Sequence, residues 1–298
     1  SVWELYHPLL EGYRLEHVED AMRRERVIVT GGTGQLGKAF QRVAPDHWDV
    51  LACSSSDLNV SHWTSVRDSF ATLRPTLVLH CAAATDVDRC EREPEWAYRV
   101  NALGSRYVAD AARRVHARIV HISTNYVFDG LKPSPYHEFD PPAPISVYGA
   151  SKLTGEREVM AAGPAMIVRT AWLYGDGRNF VATMRRLMQE RDTLSVVSDQ
   201  TGNPTSTHDL ASAVAAVLHV DAPGIYHVVN DGVASWYDWA NEIRTILEAN
   251  VALEPIPGSE YRRDAAPPRN GSMTSLALPA LGITMEPWQD ALRRHFGQ

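Results

Sequence analysis

The 298-residue chain is 44% hydrophobic and 22% charged, which is ordinary globular composition and excludes a disordered or low-complexity polymer. Its formal charge of −7, from 29 Lys and Arg against 36 Asp and Glu, leaves no general footprint for a phosphodiester backbone, so no nucleic-acid partner is expected. No apolar run approaches the roughly 18 residues that span a bilayer, and Cys53, Cys81 and Cys90 show neither CxxC spacing nor a nearby His pair. No membrane contact, disulfide framework or zinc site is therefore expected, and a reducing, cytoplasmic compartment fits best.

Residues 1–25 precede the first strand-like run, and Leu5, Leu9, Leu10, Tyr13 and Val18 suggest a weakly amphipathic helix, an appendage rather than a domain. A linker, a homodimer contact and a cloning remnant all fit it, and because Ser1 is not Met the natural start is expected further upstream. From Arg26 a regular alternation begins. Strands are expected at Val27–Val29, Val50–Ala52, Leu77–Cys81 and Arg118–Ser123, separated by helices at Leu36–Val43, Val66–Leu73 and one long helix over Trp96–Val115. The proline-crowded stretch Lys132–Pro144 reads as a surface loop able to frame a site. A helix then begins near Tyr148, followed by strand Ala165–Thr170, helix Phe180–Glu190, strand Leu194–Val197, helix Asp209–His219, strand Ile225–Val229 and helix Trp236–Glu248. The tail reads as loop, with a short helix from Pro287. Strands apolar throughout and spaced by helices imply parallel pairing covered on both faces, hence a doubly wound α/β sheet of the Rossmann type.

Directly after the first strand stands Thr30-Gly31-Gly32-Thr33-Gly34-Gln35-Leu36-Gly37. Gly31 allows a tight turn, Gly34 lets backbone N–H groups approach a pyrophosphate, and Gly37 lets helix and strand pack closely, with the helix dipole favouring the anion. A dinucleotide is the expected ligand. The second strand ends Leu51-Ala52-Cys53-Ser54-Ser55 with no carboxylate for a ribose 2′-OH, which leans toward NADPH while allowing NADH; Asp57 and Leu58 follow where they could flank the adenine, although Asp57 also suits a cap or turn.

Tyr148-Gly149-Ala150-Ser151-Lys152 sets Tyr and Lys four apart on one helical face. An ammonium beside a phenol stabilises the phenolate and eases proton transfer to a carbonyl oxygen. The strand ending Ser123-Thr124-Asn125-Tyr126 offers Thr124 as a third donor, and the trio suits a carbonyl reductase working with a nicotinamide cofactor and without metal.

These residues resemble the dTDP-4-dehydrorhamnose reductase family of extended short-chain dehydrogenases/reductases. The resemblance rests on Cys81-Ala82-Ala83-Ala84-Thr85-Asp86-Val87-Asp88, Val100-Asn101, Ser123-Thr124-Asn125-Tyr126-Val127-Phe128-Asp129-Gly130, Tyr148-Gly149-Ala150-Ser151-Lys152, Arg169-Thr170-Ala171-Trp172-Leu173-Tyr174-Gly175, Asn179-Phe180 and Asp199-Gln200-Thr201-Gly202-Asn203-Pro204-Thr205. It implies reduction of the C4 ketone of a nucleotide-linked, dTDP-bearing 4-keto-6-deoxysugar by Thr124, Tyr148 and Lys152. It further implies that Ala82, Ala83, Thr85 and Asn101 line the cofactor, while Val87, Trp172, Asn179 and Gln200 touch the sugar nucleotide. It divides the chain into a cofactor domain at 26–170, with a later contribution from about 207–230, and a substrate region at 171–206 and 231–298. Three departures stand out. Asn125 replaces the usual Asp and could bind a sugar hydroxyl without charge; Pro267-Pro268-Arg269-Asn270 shifts the diphosphate-binding arginine to Arg269; and Lys38-Ala39 occupies the position of an acidic residue that holds a metal in some members, so no metal is expected. A sugar-nucleotide epimerase and a non-catalytic subunit resembling the methionine adenosyltransferase β subunit remain the alternative readings.

Overall fold

The computed structural model describes residues 25–297, and the expected N-terminal amphipathic helix lies outside them. Five strands, β1 (Arg26–Thr30), β2 (Asp49–Cys53), β3 (Leu77–His80), β4 (Arg118–Thr124) and β5 (Met166–Thr170), join the later Gly224–His227 in one sheet. Its order is β2, β1, β3, β4, β5 and then Gly224–His227, every pair parallel. The chain leaves β1 toward β2 and resumes at β3 on β1's other side. The strand order thus reverses beside β1, the place where such sheets open a crevice at their carboxyl ends.

Both faces of the sheet are covered, which explains the apolar strands. Val27, Val29, Leu79 and Val120 pack on one face against Leu36 and Phe40 of α1 (Gln35–Val43) and against the later helix Thr207–Val220. Ile28, Val78 and Ile167 face the other way, against Phe70 of α2 (Trp63–Leu73) and Val108 and Val159 from helices crossing that side. Alternation is present, yet both its halves are dry.

Two segments differ from the expectation for the stretch after β3. A short helix, α3 (Val87–Arg92), starts where Asp86 Oδ1 accepts from Arg89 N at 3.0 Å. The single long helix over Trp96–Val115 is instead α4 (Pro94–Tyr98), a π-helical turn over Arg99–Leu103, and α5 (Gly104–Arg114). Fully buried Asn101 lies in that turn, and its side chain bonds both the N–H and the carbonyl of Ala84. The widened turn aims the amide at the loop after β3, a local use typical of π-bulges.

α6 (Val147–Ala162) follows the proline-rich loop and is capped by Ser146 Oγ, which accepts from Gly149 N at 3.1 Å. After β5 the chain builds β6 (Leu173–Tyr174), α7 (Phe180–Glu190), β7 (Thr193–Val197), β8 (Thr201–Gly202), β9 (Thr205–Ser206) and α8 (Thr207–Val220). Then come β10 (Gly224–His227), β11 (Ala234–Ser235), α9 (Trp236–Ile246), β12 (Ala252–Ile256) and α10 (Trp288–His295). α7, α9 and α10 share a second core around Val181, Met184, Trp239, Ile243 and Leu292. β12 pairs with β7 in parallel although the tail reads as loop; this two-stranded edge tolerates Pro255, which cannot donate to a ladder.

Across β4 and β5 lies a dry ion pair: Arg169 meets Glu156 of α6 in two bonds of 2.9 and 2.7 Å, with side chains 2% and 0% exposed. Ser123 Oγ also donates to Glu156. Removing one partner leaves the other charge buried alone, so Glu156→Gln is expected to lower unfolding stability by about 3–5 kcal/mol in urea titrations; a loss below about 1 kcal/mol would contradict this account.

Candidate active site

The carboxyl ends of β1, β3, β4 and β5 open into a cleft of about 1100 Å³. Gly31 sits at φ +66°, where L side chains are strained, and a Cβ there would lie 2.9 Å from Ala82 N. β1 and the loop after β3 therefore touch through bare backbone. Gly34 N donates to Gly31 O at 2.9 Å, and α1 starts without a side-chain cap, leaving its first amides available at the cleft. Gly31, Thr33, Gly34, Gln35, Leu36 and Gly37 all line this end. Leu58, Ala82, Ala83 and Thr85 continue it.

Two residues expected beside the cofactor do something else. Asp57 closes a turn: its Oδ2 accepts from Ser54 N at 2.9 Å and Ser54 Oγ at 2.6 Å, bonds that hold its carboxyl below the ordinary carboxylate range. Asn101 does not line the cleft. With Ala84 and, through Nδ2, Ser151 Oγ at 2.9 Å as partners, it braces the loop after β3 against α6.

Tyr148 and Lys152 sit one turn apart on α6 and meet the end of β4. The Tyr148 phenol faces Thr124 in the cleft, and burial together with the neighbouring Tyr126 pushes its pKa above the ordinary value. Lys152 is 2% exposed, and its Nζ donates to the Ile122 carbonyl at 2.6 Å. Burial lowers its pKa to about 8, against an upward pull from Glu156. The expectation that Lys152 draws the Tyr148 pKa down is thus corrected: the ammonium is bonded to backbone, and desolvation governs the phenol. Tyr148 is a protonated acid at neutral pH, and Lys152 is the charge that titrates nearby. Thr170, in register with Thr124, also lines the cleft, with its buried Oγ1 lacking a partner. An unpaired hydroxyl at the Thr124 end of a cleft whose other end is a bare phosphate cradle fits a dinucleotide whose nicotinamide end reaches Thr124 and Tyr148.

The residues expected on the substrate side divide. Val87, Asn125 and Trp172 line the cleft. Asn125 is 2% exposed, with Nδ2 donating to Gly271 O at 3.0 Å and Oδ1 facing the Thr124 hydroxyl at 3.3 Å. Asn179 caps α7 by accepting from Ala182 N at 2.9 Å and touches Gln35. Gln200 packs beside Gly258, away from the cleft. Arg269 is exposed outside it, while its carbonyl accepts from Thr201 N at 2.9 Å. The tail arginine that does line the cleft is Arg263, with Nε 3.4 Å from Asp88 Oδ1. Sequence reading missed it because its partner lies 175 positions away. Trp236 was missed for the same reason; it stacks on Trp172 across the second core.

Two substitutions test this geometry. The shift of Lys152 from 10.5 to about 8 corresponds to roughly 3 kcal/mol against the buried ammonium. This penalty is full below pH 8 and fades as pH rises toward 10.5. Lys152→Met is therefore expected to abolish turnover yet hold or raise Tm at pH 7, with less gain at pH 10; a fall in Tm at pH 7 would contradict the burial account. Asn125→Asp turns a carboxylate oxygen toward Gly271 O, and thermal unfolding should show a loss of about 1–3 kcal/mol.

Comparison with known proteins agrees with this architecture. A family model described as RmlD substrate binding domain matches residues 25–298. The spore coat polysaccharide biosynthesis protein SpsK of Bacillus subtilis (strain 168) is 40% identical over 91% of this chain and 96% of its own length. The dTDP-4-dehydrorhamnose reductase of Aggregatibacter actinomycetemcomitans is 37% identical over 90% and 97%. The dTDP-4-dehydrorhamnose reductase of Bacillus anthracis str. Ames, solved in complex with NADP, superposes with a TM-score of 0.89 at 41% identity, covering 92% of this chain and 99% of that one. Matched from Glu25 to its end, and sharing its overall fold with such relatives, this chain belongs to the RmlD substrate binding domain family.

Proposed function

We propose that the protein reduces the C4 ketone of dTDP-4-dehydro-L-rhamnose, or a near relative among dTDP-linked 4-keto-6-deoxysugars, with NADPH as reductant. The observation that carries this reading is one cleft in which a bare phosphate cradle leads to Thr124, Tyr148 and Lys152. The relatives named as dTDP-4-dehydrorhamnose reductases supply the sugar nucleotide, and the NADP complex of one of them supplies the cofactor. An intact proton-donating trio favours turnover over a purely regulatory binding role. Three unpaired cysteines suit a cytoplasmic setting.

Gly31, Thr33, Gly34, Gln35, Leu36 and Gly37 would hold the pyrophosphate, with Leu58, Ala82, Ala83 and Thr85 along the rest of the cofactor. When bound, the nicotinamide supplies the hydrogen and electron pair that C4 gains. Tyr148, kept protonated by burial, gives its Oη proton to the ketone oxygen as charge develops there. Thr124, beside Tyr148 in the cleft, orients that oxygen. The Lys152 ammonium, fixed on Ile122 O, adds positive potential in a dry site. Residues 26–170 with 207–230 serve the cofactor, while 171–206 and 231–298 shape the sugar-nucleotide side, where Val87 and Trp172 meet the sugar and Arg263 meets the diphosphate.

The direct test is NADPH and NADH oxidation with dTDP-4-dehydro-L-rhamnose generated in place, followed by NMR of the product sugar. Oxidation yielding dTDP-L-rhamnose is expected; cofactor binding without oxidation overturns the reading. Tyr148→Phe should cost on the order of 10²–10⁴-fold in kcat while leaving NADPH affinity intact. Arg263→Gln should raise KM for the sugar nucleotide by roughly 10–100-fold, whereas Arg269→Gln should leave it within about twofold, consistent with an exposed side chain.

A further inference from the structure

Trp172 has backbone φ +44°, a left-handed conformation that is costly for a large side chain. Such strain persists only where the surroundings over-determine it. Here they do so from several sides. The Trp172 carbonyl accepts from Thr205 N at 3.1 Å, as β6 pairs with β9. Its indole lies on that of Trp236, with ring centroids 3.7 Å apart and planes 15° from parallel. Gly202 presses on the same indole so closely that an added Cβ would sit 2.5 Å from Trp172 Cε2.

Gly202 and Trp236 are mounted on one small ribbon. β8 and β11 pair antiparallel with Ala234 opposite Gly202 and Ser235 opposite Thr201, and Trp236 follows at once as the first residue of α9. That helix start is fixed by a reciprocal box in which Ser235 Oγ accepts from Asp238 N at 3.0 Å and Asp238 Oδ2 accepts from Ser235 N at 2.9 Å. Phe180 and Trp239 extend the aromatic cluster behind Trp236, with centroids 4.9 and 5.7 Å from it. Trp172 itself follows Thr170 by two residues, and Thr170 is in register with Thr124. The clamped ring therefore borders the ketone end of the cleft rather than its phosphate end.

We infer that Trp236 and Gly202, carried on the β8–β11 ribbon, are positioning residues that hold Trp172 in its strained conformation as the wall against the pyranose ring of the substrate. The inference rests on the ketoreductase reading for the identity of the ring. It assigns Trp236 no chemistry; its effect passes through Trp172 to the fit of the sugar.

The experiment pairs a spectrum with kinetics. Stacked indoles couple their transitions, and Trp172 lies against Trp236 at 3.7 Å and against Trp239 at 5.9 Å, so far-ultraviolet circular dichroism of the ligand-free protein should show an exciton couplet that Trp236→Leu and Trp236→Phe both weaken. Trp236→Leu should raise KM for the ketosugar nucleotide about tenfold, with kcat within about twofold and the Kd values of dTDP alone and of NADPH unchanged. Trp236→Phe should restore KM to within about threefold, because a phenyl ring still offers a stacking face. Gly202→Ala, which leaves both tryptophans in place, should raise KM as Trp236→Leu does. An unchanged KM in both Trp236→Leu and Gly202→Ala overturns the inference, as does an equal loss of affinity for dTDP alone or a couplet that Trp236→Leu leaves unchanged. Failure of the wild type to oxidise NADPH with the ketosugar overturns the ketoreductase reading instead, while the couplet and its weakening in the variants still report the clamp.

Discussion

Helix α6 lays a stripe of three polar side chains, Tyr148, Lys152 and Glu156, against the sheet one turn apart; Lys152 and Glu156 are buried, and Tyr148 is half-buried at the cleft. Most of the site is organised by the need to satisfy them. Glu156 is met by Arg169 from β5 and Ser123 from β4 and Lys152 by the Ile122 carbonyl, while Tyr148 shares the cleft with Thr124. Consecutive residues of β4 thus serve successive turns of α6. A one-residue slip between helix and strand would strand a buried charge, so the placement of Tyr148 and the stability of the fold answer to the same contacts.

The same desolvation sets the chemistry. Water would let Tyr148 ionise at its ordinary pKa and keep Lys152 charged far above neutrality; burial moves the first upward and the second down to about 8. The result is an acid that holds its proton and a cation whose field is little screened. Around this centre the loop after β3 has few degrees of freedom. Gly31 touches it from one side, and Asn101 bonds both backbone groups of Ala84 from the other.

The substrate side is assembled differently, from segments far apart in the chain. Arg263 is drawn over α3 by Asp88, whose Oδ1 also accepts from Ala265 N at 3.1 Å, and Arg92 pairs with Asp264 beside it. Asn125 reaches Gly271 O, tying the residue after Thr124 to the same tail. One side of the cleft is built from local turns and the other from long-range clasps, as expected where a fold is held constant and specificity lies in later segments.

What the sequence determined by itself follows from local physics. Apolar strands spaced by helices dictate a parallel sheet with two covered faces, a glycine turn after the first strand dictates a bare cradle, and Tyr148 and Lys152 four apart must share a helical face. The break at Asn101, the short α3 and the β12 edge were illegible because each depends on a partner distant in sequence: Ala84, Asp88 with Ala265, and β7. For the same reason only the tertiary structure decided that Arg263 rather than Arg269 enters the cleft, that Asn101 and Asn179 brace backbone, and that Trp236 lies on Trp172. Hydrogen bonds along a strand or helix are written in neighbouring residues, whereas a side chain's role in a cleft depends on which groups the folded chain brings against it.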